Sequence, residues 1–428
     1  MSSPYRPSIN EELARFAYSS LWMFILPVAL CIWLIKSLVK PTNFDYRKKE
    51  RFGFLPQLTH TGGIYLHCVS VGEVVAASKI VKSIWSTMPD KPITISTTTP
   101  TGADRVAQIF GDKVQHVYLP FDLPFLMQNL LNKVQPEQVL ITEVELWPNL
   151  THACWKRAIP VTVVNARMTD KSRRNYAKIS ALFTPMLHKI SCVCAQGRRD
   201  FDNYLALGLP KDKLTLTNNI KFDLHAPLST SDIEKVKARF NSDNRLIIIG
   251  GSTHAPEEQY LLDTLLALKK EHAIRLILVP RHPQRFDKVW ALCQRSGLTC
   301  CRSSEANIHQ SDIVLVDEMG VLAQLYGIAD IAFIGGSIAN RGGHNALEAS
   351  IYGVPAIMGP HTYNNPEICQ TLEDNGGLII CKDLPSLIAQ CDNWLHDTRA
   401  RQTAGQASAR VIQENTGAIQ RTLTAIGF

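Results

Sequence analysis

No C-x-x-C pair, no G-x-G-x-x-G and no G-x-x-x-x-G-K-[ST] occurs in these 428 residues. The first absence argues against a zinc ribbon; the other two argue against a dinucleotide cofactor and a P-loop. Long runs of one charge are also missing. Charged residues make up 19% of the chain and the net charge is +7. That mild bias suits anionic partners such as phosphates or a membrane surface, and it lacks the basic blocks of a nucleic-acid binder. The one D-x-D, Asp200–Asp202, falls in a helix-like stretch, so no divalent-metal site for a sugar nucleotide is expected. The eleven cysteines include the alternating Cys192 and Cys194 and the adjacent Cys300 and Cys301. Neither spacing resembles a metal site, and they read as buried thiols in a reducing compartment.

What is present begins at the N-terminus. Between Arg15 and Lys36 lie twenty uncharged residues, "FAYSSLWMFILPVALCIWLI". As a helix they would reach ~30 Å, about the thickness of a bilayer's hydrocarbon core. No A-x-A-like cleavage site follows, and Leu30 spoils the lipoprotein-like "VALC". Residues 1–40 therefore read as a membrane anchor, with shallow interfacial insertion as the alternative to a span. Lys36, Lys40, Arg47, Lys48, Lys49 and Arg51 follow it, against Arg6 and Arg15 before it. That asymmetry places the remainder of the chain on the cytoplasmic side.

From residue 62, short β-rich runs alternate with amphipathic helical patterns: "GIYLHCV", "PITISTTT", "HVYLP", "QVLITEVE", "PVTVVNA" and "ISCVCAQ". A polar connector with one helix occupies residues 222–244, and a second series follows in "RLIIIGG", "IRLILVP", "DIVLVD", "IADIAFIGG" and "GVPAIMG". Strands separated by helices imply right-handed βαβ units and parallel sheets. The expectation is an α/β chain with two doubly wound domains, residues 41–225 and 226–428. Ligands in such sheets bind beyond the carboxyl ends of the strands.

The chemistry-bearing motifs fall at those ends. "SVGE" offers Ser70 as a helix cap and Glu73 in the first helical turn, where the dipole favours an ionised carboxylate suited to accept a proton. An acid there is equally an ordinary helix-start residue. "TEVELWPN" carries Glu143 and Glu145, which strand alternation would put on one face. "NNIKFD" carries Lys221, which could meet a departing phosphate. "ARMTDKSRRNYAK" presents Arg167, Lys171, Arg173, Arg174 and Lys178 to lipid headgroups, a phosphorylated substrate or simply solvent. In the second half, "GGSTHAPEE" looks like a helix start with Ser252 or Thr253 as cap and free amides for a phosphate. "LVPRHPQRF" ends a strand with Arg281 and His282. "IGGSIANRGGHNALEAS" suits a nucleotide, with loop and helix amides to the phosphate and Glu348 to the ribose hydroxyls.

In order along the chain, "HCVSVGE", "TTTPTGADR", "VYLPFDLP", "EVELWPN", "NARM", "NNIKFD", "GGSTHAPEE", "LVPRHPQRF", "LYGIAD", "GGSIANRGGHNALEA" and "MGPHTYN" resemble the 3-deoxy-D-manno-octulosonic acid (Kdo) transferases of bacterial lipopolysaccharide assembly. The resemblance covers roughly residues 15–425. It implies the GT-B architecture of two Rossmann-like domains facing a cleft, CMP-Kdo as donor, and lipid IVA, an acylated disaccharide phosphate, as acceptor. It implies no metal and no cofactor, and a place at the inner membrane with its anionic lipids. It makes Glu73 the proton acceptor, with Glu143 and Lys221 stabilising the transition state. Pro280, Arg281, Met319, Gly320, Val321, Asn345, Ala346, Leu347 and Glu348 would bind CMP. Val321 stands where many members have Glu, and Ala346 where many have Pro, so contacts there fall to the backbone. A sugar-nucleotide 2-epimerase shares the two-domain fold, but such enzymes are typically soluble and the N-terminal apolar segment argues against one.

Overall fold

The computed structural model describes residues 5–39, 46–224, 228–241, 243–305 and 308–428. Lys40 and the expected boundary at residues 225–226 lie outside that set. The chain forms two compact units, one of residues 1–223 with 417–428 and the other of residues 224–416.

In the first unit the strands are β1 (Ile64–His67), β2 (Ile93–Thr97), β3 (Gln115–Tyr118), β4 (Gln138–Thr142), β5 (Val161–Ala166), β6 (Cys192–Ala195) and β7 (Leu214–Leu216). All pair in parallel, in the order β3-β2-β1-β4-β5-β6-β7. Central strands such as β1, β2 and β5 are buried along their whole length, which explains their near-continuous apolar and β-branched composition. Helices cover both faces, giving one core around Leu130, Val139 and Val163 and another around Ile64, Ile80 and Val164.

The second unit repeats the plan with β8 (Leu246–Thr253), β9 (Ile274–Pro280), β10 (Cys300–Arg302), β11 (Ile313–Leu315), β12 (Ile331–Ile334), β13 (Ala356–Met358) and β14 (Leu378–Ile380). Its parallel order is β10-β11-β9-β8-β12-β13-β14. In both sheets the strand order reverses beside the first strand, between β1 and β4 and between β8 and β12, where an open α/β sheet leaves a crevice for ligand.

One boundary differs from expectation. Residues 417–428 do not end the second domain but return to the first unit. The reason is local: the Asp223 carboxylate accepts the amides of Gly417 (2.6 Å), Ala418 (3.2 Å) and Ile419 (2.6 Å), capping the helix Ala418–Ile426. Ala418, Leu423 and Ile426 then bury in the same core as Ile64 and Ile80.

The N-terminal helix, Ile9–Val39, is long and apolar enough to cross a bilayer. It nevertheless lies along the first unit. Arg15 Nη1 donates to Asn149 Oδ1 at 3.0 Å, and Lys189 Nζ donates to Glu12 Oε1 at 3.1 Å. Further along, Trp22 packs on Phe121 and Trp33 on Phe52, with ring centroids 5.5 and 5.7 Å apart. Contacts from Glu12 to Trp33 span ~30 Å of helix. The opposite face leaves Phe16, Phe24, Val28 and Ile35 exposed.

Candidate active site

At the carboxyl end of β1, Ser70 adopts extended geometry and caps the helix Val71–Thr87. Glu73, at the third helical position, completes a capping box. Its Oε1 accepts from the Ser70 amide (3.2 Å) and hydroxyl (2.8 Å). Its Oε2 accepts from the Val69 amide (2.8 Å) and lies 2.7 Å from the Thr142 hydroxyl of β4. Only 7% of the residue is exposed. Glu73 is thus the helix-start acid that its position allows, and also a buried carboxylate surrounded by hydrogen-bond donors.

Glu143 and Glu145 follow β4, but the strand stops at Thr142. Glu143 takes a left-handed φ of 54°, and both acids lie in the turn that leads to the helix Pro148–Lys156. Strand alternation therefore does not relate them. The turn still gathers the charge. Burial pushes the Glu145 carboxyl up to about 7, and the neighbouring Glu73 and Glu143 charges add to the rise. Among the described residues, no hydrogen bond or ion pair engages the Glu145 side chain. The sequence singles out Glu145 with Glu143 in "EVELWP", but its burial beside two like charges shows only in the fold.

His67, the last residue of β1, is fully buried. Trp147 Nε1 donates to its Nε2 at 3.3 Å, so Nδ1 carries the proton toward Ser96 Oγ at 2.8 Å. Burial, then the Arg51 charge, lowers its pKa to about 3, and it stays neutral. Lys221 lies half-buried in the short turn Ile220–Phe222, its amide capped by Asn219 Oδ1 at 3.0 Å. The basic helix Asp170–Ala177 buries none of its residues. Asp200 is buried and accepts the Met168 amide at 2.5 Å, whereas Asp202 pairs with Arg198 on the surface. That D-x-D is structural.

In the second unit, Arg281 follows β9 and its amide donates to Thr253 O at 3.1 Å. Asn345 Nδ2 lies 3.4 Å from Glu348 Oε1, and Asn345 Oδ1 accepts the Leu347 amide at 3.3 Å. Burial raises the Glu348 pKa, while Asn345 and the Arg281 charge hold it back. The fold therefore brings Arg281 and the Asn345–Glu348 segment into one electrostatic neighbourhood. Pro280, Ala346 and Leu347 are buried, which leaves them backbone contacts. Met319 is exposed and Gly320 takes φ 86°. The Val321 side chain lines a small hollow with Val236, Phe240 and Leu325.

Two expectations fail here. β8 runs on to Thr253, and the next helix begins at Glu257, so neither Ser252 nor Thr253 caps it. The glycine-rich loop also has no amides to spare at its start. The buried Glu257 carboxylate accepts from Gly336 (2.8 Å), Ser337 (2.9 Å), Ile338 (2.9 Å) and Ala339 (3.2 Å), and from His254 (2.9 Å). A carboxylate of the protein occupies the nest that a phosphate was expected to fill. The helix after Asn345 is four residues long, Leu347–Ser350.

One cluster was missed. His254 Nε2 lies 3.1 Å from His344 Nε2, the two rings stack, and His282 meets His254 edge-on at 5.4 Å. Burial, then the neighbouring His254 and Arg281 charges, lowers the His344 pKa to about 4. The three histidines are scattered over ninety residues of sequence, and only the convergence of β8, β9 and β12 joins them.

A family model described as 3-deoxy-D-manno-octulosonic-acid transferase (kdotransferase) matches residues 46–224. Over 420 residues the chain is 39% identical to the 3-deoxy-D-manno-octulosonic acid transferase of Haemophilus influenzae, covering 96% of this chain and 97% of that protein. The chain belongs to the Kdo transferase family. It is accordingly a glycosyltransferase. Among solved structures, a glycosyltransferase from Rickettsia africae ESF-5 superposes with a TM-score of 0.54 at 14% identity, covering 86% of this chain and 98% of that one. The UDP-GlcNAc 2-epimerase of Neisseria meningitidis bound to UDP-GlcNAc gives 0.56 at 14% identity, covering 86% and 99%. At such identities the likeness is one of fold alone. The two seven-stranded parallel sheets of this Kdo transferase are of the GT-B type.

Proposed function

We propose that this transferase moves Kdo from CMP-Kdo to a primary hydroxyl of lipid IVA, with inversion at the anomeric C2 and without a metal. The acceptor oxygen forms its bond to C2 while the bond from C2 to the CMP phosphate oxygen breaks. The hydroxyl proton passes to Glu73, and the electron pair leaves with CMP. The observation that carries this reading is the Glu73 carboxylate, held among donors at the carboxyl end of β1 with two further acids beside it.

A base needs a free lone pair, and four donors surround this carboxylate. Thr142 supplies the release. Its hydroxyl also lies 2.9 Å from the His67 carbonyl, so its single proton can turn away and leave Oε2 to the substrate. Glu143 and Lys221 would stabilise the developing charges. Arg281, with Met319–Val321 and Asn345–Glu348, would hold CMP, Arg281 on the phosphate and Glu348 on the ribose. A monophosphate leaving group carries less charge than a diphosphate, so cationic side chains suffice for it.

The apolar outer face of the N-terminal helix, with the exposed Lys171, Arg174 and Lys178, fits attachment to the anionic cytoplasmic face of the inner membrane. Labelled CMP-Kdo incubated with lipid IVA in vesicles and excess chelator tests the whole reading. A product heavier than lipid IVA by Kdo is expected; no transfer, or transfer only with added Mg²⁺, would overturn it.

A further inference from the structure

A second cluster of ligating side chains sits in the second unit, at the end of the sheet opposite Arg281. Glu271 and His272 occupy the turn between the helix Glu257–Leu268 and the amino end of β9. Asp392 and His396 lie one turn apart at the end of the helix Leu384–His396, which packs against Glu257–Leu268. His272 Nε2 is 3.0 Å, and His396 Nδ1 3.1 Å, from the same oxygen, Asp392 Oδ1. The two rings meet edge-on with centroids 4.3 Å apart. One ligand atom from each of the four residues lies within 4.8 Å of all the others.

We propose that Glu271, His272, Asp392 and His396 bind a divalent transition-metal cation of the zinc class, tying the turn before β9 to the end of the Leu384–His396 helix. Two imidazoles and two carboxylates form a borderline donor set that suits zinc rather than magnesium or calcium. With both rings neutral, the set carries two negative charges, which a divalent ion cancels. Tetrahedral ligation at zinc–nitrogen bonds of about 2.0–2.1 Å needs ligand atoms ~3.3 Å apart. The histidine–aspartate distances of 3.0 and 3.1 Å must therefore open by only a few tenths of an ångström. Glu271 and His396 are exposed and give the ion a way in, whereas the His272 side chain is 9% exposed and fixed in place. Lys269, two residues before Glu271, is paired with Asp312 and does not compete for the carboxylates.

The seven residues of β9 separate this cluster from Arg281 by roughly 20 Å. The site is thus independent of the proposed transfer chemistry and of its freedom from metal. A tie between two packed elements would act on stability.

Zinc titration of the full-length, chelator-stripped protein in detergent, followed by calorimetry and thermal unfolding, tests the proposal. One saturable zinc site and a zinc-dependent rise in Tm are expected, with no response to magnesium. His396→Gln, at an exposed position, and His272→Ala/His396→Ala should each weaken that site by more than about 100-fold, beyond the effect of a change outside the ligand shell. Both should leave CMP binding and Kdo transfer unchanged. His254→Gln, which alters the other histidine cluster, should keep the zinc isotherm. Wild-type binding no tighter than millimolar, or an undiminished site in both His396 variants, overturns the proposal.

Discussion

The Thr142 hydroxyl stands between the Glu73 carboxylate, 2.7 Å away, and the His67 carbonyl, 2.9 Å away, and has one proton to give. Glu73 therefore holds two roles that substitution can separate. As a cap it orders the start of the Val71–Thr87 helix; as a base it would need the lone pair that Thr142 releases. Glu73→Gln keeps an acceptor for the cap and should fold and bind CMP normally, yet lose at least ~10²-fold in kcat. Glu73→Ala should lose that activity and also about 1 kcal/mol or more of stability with the cap. Near-normal turnover by Glu73→Gln would return the residue to its structural role alone.

Glu145 supplies a pH test. Its carboxyl titrates near 7 because burial and two neighbouring carboxylates disfavour its anion. A raised acid pKa means that the folded state holds a proton which the unfolded state releases near pH 4.5. Stability is fully present below pH 4.5 and falls as pH rises to about 7. Glu145→Gln removes that loss, so the variant should melt higher than wild type at pH 8 and match it at pH 4.5. The same variant should flatten any inflection near pH 7 in the transfer rate. Should Glu145→Gln abolish transfer while Glu73→Gln spares it, the proton acceptor would be Glu145.

At the donor site, Arg281→Ala and Glu348→Ala should each weaken CMP binding by about 1–3 kcal/mol, measured by calorimetry. Unchanged affinity in both variants would show that the nucleotide binds elsewhere. Glu257→Gln should act differently. It replaces an acceptor of five amides with a group that has one oxygen, costing at least about 3 kcal/mol. Hydrogen exchange at Gly336–Ala339 should accelerate even without nucleotide, which separates loop support from ligand contact.

The fold and the site were legible in the sequence to different depths. Long buried strands such as β8 and β9 declare themselves by apolar runs, "LIIIGG" in one and "LILVP" in the other. The edge strands β7, β10 and β14 are three residues each, too short for any period to show. The return of residues 417–428 rests on Asp223, a single capping side chain almost two hundred residues away. Glu73, Glu143 and Arg281 do follow the ends of β1, β4 and β9, as the strand-and-helix pattern led one to expect. What lies around them could not be read. Glu257 looks like any helix-start acid until the loop after β12 folds over it, and the His254–His344 pair exists only in three dimensions.

The N-terminal helix yields the last prediction. A spanning helix must clear the globular unit so that lipid surrounds it through ~30 Å. This one touches the unit at Glu12, Arg15, Trp22 and Trp33, over about the same length, and shows only its other face to the surroundings. Such a helix suits insertion parallel to the interface, with the exposed Phe24 and Val28 among the acyl chains. Lying flat puts residues 5 and 46 on the same side of the membrane; spanning would put them on opposite sides. On the proposed cytoplasmic placement of the catalytic units, a protease-cleavable tag at the N-terminus should therefore be cut in inverted inner-membrane vesicles and protected in right-side-out ones. Phe24→Ser/Val28→Ser should reduce flotation with anionic vesicles and raise KM for vesicle-embedded acceptor, with kcat on detergent-dispersed acceptor retained. A tag cut only from the periplasmic side would mean that the helix leaves the surface of the first unit and crosses the bilayer.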